Sequence, residues 1–176
     1  MAIPMMQPSA EVAAEARTRP FREGQNTLRY FEDIEEGETR KLGEYVPTRE
    51  EIIQFASAWD PQPFHTDEEK AADSVFGGLT ASSCHTYSIS ALIYSRNPTP
   101  MAVAAMLGLS LEFPEPVRPG DTLQLEDKCL EKRVSESRPG FGVVKSRTTM
   151  KNGRGKTTFV MDSSYLVHRR PIDAGD

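Results

Sequence analysis

The sequence predicts a single α+β domain in which an antiparallel sheet is covered on one face by a long apolar helix. Three observations predict it. Helix signals are confined to the first half of the chain, after one short strand-like segment. Four strand-like stretches separated by turn residues fill residues 101–168. The 176 residues, 38% of them hydrophobic, suffice for one core but not for two ordinary domains.

Residues 1–26 hold Pro4, Pro8 and Pro20 among alanines and mixed charges, without a period that would bury anything. They are read as an N-terminal arm, with the domain over 27–170 and a short tail over 171–176. Residues 38–46 alternate weakly around Leu42 and Val46 and predict a strand that stops before Pro47. Thr48 and Glu51 then form a capping box, and Ile52, Ile53, Phe55, Ala56 and Trp59 recur at helical spacing. Pro61 disfavours the helical conformation in its predecessor, so this helix should end at Asp60. Residues 66–74 are polar and helix-compatible, and Gly77-Gly78 breaks the chain before an apolar run over 79–94. That run is the expected central helix, with Thr80, Ser82 and Ser83 able to cap its start and Asn97-Pro98 marking its end. A pair of strands is the alternative, because Thr, Ser, Tyr and Ile are weak helix formers. Strands are expected over 101–113, 122–134, 141–150 and 157–168, and the short turns between them favour antiparallel neighbours.

Composition narrows the function classes. The 21 basic and 26 acidic residues give a formal charge of −5, and the basic residues are scattered, which argues against nucleic acid. No apolar run approaches the roughly 20 residues that span a bilayer, and no secretory signal opens the chain, so a soluble, cytoplasmic protein is expected. The two cysteines, Cys84 and Cys129, have no redox or metal spacing. Cys84 stands beside His85, but helical neighbours point about 100° apart, so Cys84 reads as a small core residue.

Chemistry concentrates in Ala58-Trp59-Asp60-Pro61-Gln62-Pro63-Phe64-His65-Thr66-Asp67. Two prolines stiffen a short extended stretch, so the Asp60 carboxylate and His65 imidazole leave it in defined directions. Such a pair can share one water, taking a proton from it and delivering one to carbon. On spacing alone the segment reads first as structural, with Asp60 capping the following turn and His65 a partly buried loop histidine.

The segment Asp60-Pro61-Gln62-Pro63-Phe64-His65 resembles the Asp-x-Asn-Pro-x-His motif of MaoC-like dehydratases and (R)-specific enoyl-CoA hydratases. Phe113-Pro114-Glu115-Pro116-Val117-Arg118-Pro119-Gly120-Asp121-Thr122-Leu123 resembles the turn that joins two strands in that family, and Phe76-Gly77-Gly78-Leu79-Thr80-Ala81-Ser82 resembles its lead into the central helix. The likeness spans about residues 30–170. It implies a hot-dog fold, an antiparallel sheet wrapped around one long helix, and a homodimer. It also implies reversible hydration of a trans-2-enoyl thioester to an (R)-3-hydroxyacyl thioester, with Asp60 and His65 holding the catalytic water. The backbone N–H of Ser83 would bind the thioester oxygen, because free N–H groups and the helix dipole favour negative charge there.

Gln62, Phe64, Gly78, Ser82 and His85 are expected near the pocket. Gln62 departs from the family's frequent Asn, and Ser82-Ser83 from its frequent His-Gly, so the fit to substrate is where this chain should differ. No cofactor or metal is expected; coenzyme A or acyl carrier protein would enter as part of the substrate. Asp60, His65, Asp67 and His85 match no recurring zinc spacing. His168, beside Arg169-Arg170, reads as a surface residue, and Arg118, Lys145 and Arg147 are candidate phosphate contacts whose default is solvation. A hot-dog thioesterase and a non-catalytic acyl-binding protein, like a nodulation-associated member of the wider family, are the alternatives. The first lacks this paired histidine, and intact Asp60 and His65 argue against the second.

Overall fold

The computed structural model describes residues 27–171, so the arm over 1–26 and the tail over 172–176 lie outside the described residues. A 3₁₀ turn, Phe31–Asp33, leads into strand β1, Thr39–Tyr45. Three helices follow, α1 (Arg49–Trp59), α2 (Pro63–Thr66) and α3 (Glu68–Ala72), and then the central helix α4, Ser83–Ser95. Strands β2 (Val103–Glu112), β3 (Leu123–Val134), β4 (Phe141–Lys151) and β5 (Thr157–His168) complete the chain. They form one five-stranded sheet in the order β1-β3-β4-β5-β2 with every pairing antiparallel. This is the α+β hot-dog arrangement, with α4 on the face of the sheet that carries the core.

Period-two burial creates that face. In β4, Val144, Ser146, Thr148 and Met150 are buried and alternate with more exposed neighbours, and β5 adds Phe159, Met161, Ser163 and Tyr165 on the same side. Helix α4 covers them with Ile89 and Ile93, and Ile52 of α1 joins the same cluster. Gly43, at a bulge in β1 with φ +146°, marks where α4 approaches closest: a Cβ there would stand 3.2 Å from Ile93 Cγ2. A second cluster, with Phe31, Ile34, Met101 and Val167, seals the far end under the 3₁₀ turn.

Four expectations change. Strands β2 and β3 are not neighbours; they lie near opposite edges, and residues 113–122 cross between them over the approach to α4, where Val117 O accepts from Ala81 N–H at 2.9 Å. A short connection here bridges a helix, not a hairpin. The central helix begins at Ser83, because Ser82 is extended and two N–H groups before it are spent elsewhere, Thr80 N–H on Phe64 O and Ala81 N–H on Val117 O. Within α4 the weak helix formers satisfy their hydroxyls on the preceding turn: Thr86 Oγ1 donates to Ser82 O, Ser88 Oγ to Cys84 O and Ser90 Oγ to Tyr87 O. Cys84 is exposed instead of buried, since the buried stripe of α4 runs through His85, Thr86, Ile89 and Ile93. Trp59, placed on the apolar face of α1 by its spacing, is also exposed.

Candidate active site

Helix α1 delivers Asp60. Thr48 Oγ1 accepts from Glu51 N–H while the Glu51 carboxylate accepts from Thr48 N–H, so the capping box read in the sequence fixes the helix start. Its last N–H to bond backward is that of Asp60, to Ala56 O. The stretch that follows is not extended throughout. Pro63 opens the single turn α2 at the N1 position, where its missing N–H costs nothing, and that turn carries His65.

Gln62 organises the turn through its backbone. Its N–H donates to Asp60 O at 2.7 Å, and its carbonyl accepts from His65 N–H and from Thr66 Oγ1. Among the described residues its side-chain amide holds no hydrogen bond, so the amide is not what positions the loop. The Phe64 ring packs edge-on against the His65 imidazole at 4.5 Å and tilts against Phe76 at 5.1 Å.

The pair itself stands with Asp60 Oδ2 3.7 Å from His65 Nε2, beyond direct hydrogen-bond range. The imidazole is buried, at 8% side-chain exposure, and the carboxylate opens to solvent at 29%. His65 Nδ1 lies 2.6 Å from Thr80 O. A carbonyl only accepts, so Nδ1 carries a proton, and in the neutral ring Nε2 presents its lone pair on the side of Asp60. The pair thus presents two acceptors 3.7 Å apart.

Three residues beyond Thr80, α4 begins. Ser82 is its N-cap, fully buried, with Oγ accepting from His85 N–H at 3.1 Å. Ser83 occupies the first helical position, and its N–H has no acceptor among the described residues, as helix geometry requires. One strap of chain thus joins the carbonyl that orients His65 to the free N–H of Ser83. Gly78 lies upstream on that strap with φ +150°, and its carbonyl accepts from Arg118 Nη1 at 2.6 Å.

His85 is stacked on Phe55 with ring centroids 4.4 Å apart and planes 6° from parallel, and burial pushes its pKa below the ordinary value. It packs α4 onto α1, and its burial favours the neutral form. Asp67 caps α3 through Glu69 N–H and Lys70 N–H. Among the described residues no three His, Cys, Asp or Glu side chains converge on one point, and no helix is long and apolar enough to cross a membrane. Lys145 and Arg147 pair with Glu131 and Asp162, and His168 lies exposed against Phe141.

The family profile described as a MaoC like domain matches residues 32–152. The chain belongs to the MaoC-like family. Protein MaoC of Klebsiella aerogenes is 31% identical over 125 residues, 70% of this chain but 36% of that protein. The (R)-specific enoyl-CoA hydratase of Rhodospirillum rubrum is 37% identical over 98 residues, 54% of this chain and 66% of the hydratase. The chain thus spans about a third and about two thirds of these two relatives. Among solved structures, the MaoC-like dehydratase of Rhodospirillum rubrum superposes with a TM-score of 0.77 at 34% identity, covering 82% of this chain and 99% of that one.

A feature of this MaoC-like chain that sequence reasoning missed is a cavity of about 180 Å³ beside α4. Tyr87, Ser90, Ala91 and Tyr94 of the helix line it, with Val103 and Met106 of β2 on its outer side. None of Gln62, Phe64, Gly78, Ser82 or His85 does. The spacing of 87, 90, 91 and 94 is a helical stripe, and that period was the signal available.

Proposed function

We propose that this MaoC-like chain hydrates a trans-2-enoyl thioester reversibly to an (R)-3-hydroxyacyl thioester. The observation that carries the reading is the Asp60–His65 pair, two acceptors 3.7 Å apart that can bind the same water, with His65 Nδ1 directed at Thr80 O. The water oxygen bonds to C3 as the C2–C3 π pair shifts to C1–C2 and the carbonyl π pair moves onto the thioester oxygen, giving an enolate. One proton of the water passes to the pair, and the pair returns a proton to C2, so the enzyme ends as it began. The Ser83 N–H at the start of α4 meets the enolate oxygen, where a preorganised donor backed by the helix dipole stabilises charge that develops only in the transition state.

The cavity begins about 6 Å along α4 from Ser83, one helical turn, and its lining suits the alkyl part of an acyl chain, with coenzyme A or acyl carrier protein remaining outside. The chain works as a homodimer joined through β2, an edge strand that exposes Met106 (41%), Leu107 (55%) and Leu109 (42%). Incubation with crotonyl-CoA tests the function. Loss of the conjugated enoyl absorbance without thiol release is expected; thiol release instead would make the protein a thioesterase, and no change across a panel of enoyl thioesters would make it a binding protein.

A further inference from the structure

Arg118 has an unusual set of partners. It lies half-buried in the segment that crosses from β2 to β3, and its guanidinium donates to three main-chain carbonyls of the strap before α4. Nη1 reaches Gly78 O at 2.6 Å and Leu79 O at 3.2 Å, and Nη2 reaches Phe76 O. The next residue upstream continues the attachment, with Val117 O accepting from Thr80 Oγ1 at 3.0 Å and from Ala81 N–H at 2.9 Å. The strap has little stiffness of its own, since Gly77 and Gly78 both sit at positive φ, +62° and +150°. Its conformation is therefore set from outside, by a planar fork whose donors have fixed directions.

We propose that Arg118 is a positioning residue for the hydration reaction: by clamping the carbonyls of residues 76, 78 and 79 it holds Thr80 O against His65 Nδ1 and aims the Ser83 N–H. The inference rests on the proposed hydratase function for its kinetic arm only. Both catalytic contributions hang from the same strap, one through the imidazole tautomer and one through the first N–H of α4, so a loosened strap degrades both together. Substrate binding along the cavity is untouched, because Arg118 does not line it.

Arg118→Gln and Arg118→Lys in the full chain test this. Misplacement of reacting groups by about 1 Å costs on the order of 10²-fold in rate, so Arg118→Gln should lower kcat by roughly 10- to 100-fold with KM within about twofold of wild type. Arg118→Lys keeps three donors on one nitrogen but loses the fork, and should recover part of the loss. The second readout needs no substrate. The chain has 3 histidines, and long-range ¹H–¹⁵N spectra should show His65 protonated on Nδ1 in wild type and a mixture of tautomers in Arg118→Gln. A wild-type tautomer in a folded Arg118→Gln protein would overturn the proposal, as would an unchanged kcat with raised KM, which would make Arg118 a substrate contact. Collapse of both variants would reduce it to a structural tie and overturn it equally. If wild type hydrates no enoyl thioester, the functional reading fails and the tautomer still decides the inference.

Discussion

His65 is held by one bond and flanked by one carboxylate, and the two neighbours do different things. Thr80 O accepts from His65 Nδ1–H, which leaves Nε2 as the acceptor nitrogen of the neutral ring, and Asp60 stands 3.7 Å from that nitrogen. Either group alone can accept from water; only both together hold it with both hydrogens committed and its oxygen lone pairs free to attack. Groups that act as one unit lose rate non-additively. Asp60→Asn and His65→Asn should each lower kcat by at least about 10²-fold, with KM changed little, and the double variant should be scarcely worse than the poorer single one. Steady-state rates on crotonyl-CoA with circular dichroism as a folding control check this. A folded His65→Asn protein that hydrates at the wild-type rate would return His65 to the role of a loop histidine.

At the scale of elements, α4 roofs the sheet and, in the proposed reaction, supplies the Ser83 N–H as a donor, and the two roles separate experimentally at its first residue. Proline is tolerated at the first helical position and demands an extended predecessor. Ser82 is already extended, with φ −66° and ψ 157°. Ser83→Pro therefore removes the N–H without disturbing the helix, and should cost about 10² to 10³ in kcat, the usual loss of one oxyanion donor, with the melting temperature nearly unchanged. Full activity would move the oxyanion site elsewhere. The helix start illustrates what the sequence could carry. The Thr48–Glu51 box was legible because a capping box ties residue types to fixed positions. Thr80, Ser82 and Ser83 all qualify as caps by type, and only the strap's bonds to Phe64 O and Val117 O select Ser82. The β2–β3 connection was misjudged because length does not say whether a chain turns back or crosses a helix. Asp60 and His65 were legible as a pair; the Thr80 carbonyl that orients His65 was not, since every residue has a carbonyl and none announces its partner.

Across the whole molecule, the sheet is finished on one side and open on the other. At the β1 edge the strand is short and bulged and carries Arg40, Lys41 and Glu44, features that discourage further pairing. At the β2 edge ten residues run with Met106, Leu107 and Leu109 exposed, Leu107 at a bulge between Met106 and Gly108. The cavity beside α4 has β2 as its outer wall, through Val103 and Met106, and Ala91 on its helical side is exposed. A second copy laid along β2 would bury these residues and complete that wall, which would couple association to retention of the proposed acyl chain. Wild type should sediment at twice 19.6 kDa at micromolar concentration. Leu107→Lys with Leu109→Lys should shift it to the single-chain mass, because burying two ammonium groups opposite their symmetry mates is far costlier than leaving them in water. The same variant should show raised KM for longer enoyl chains more than for crotonyl-CoA, since the missing wall matters most to the chain's far end. Wild type at the single-chain mass with full activity would sink both the dimer and the coupling.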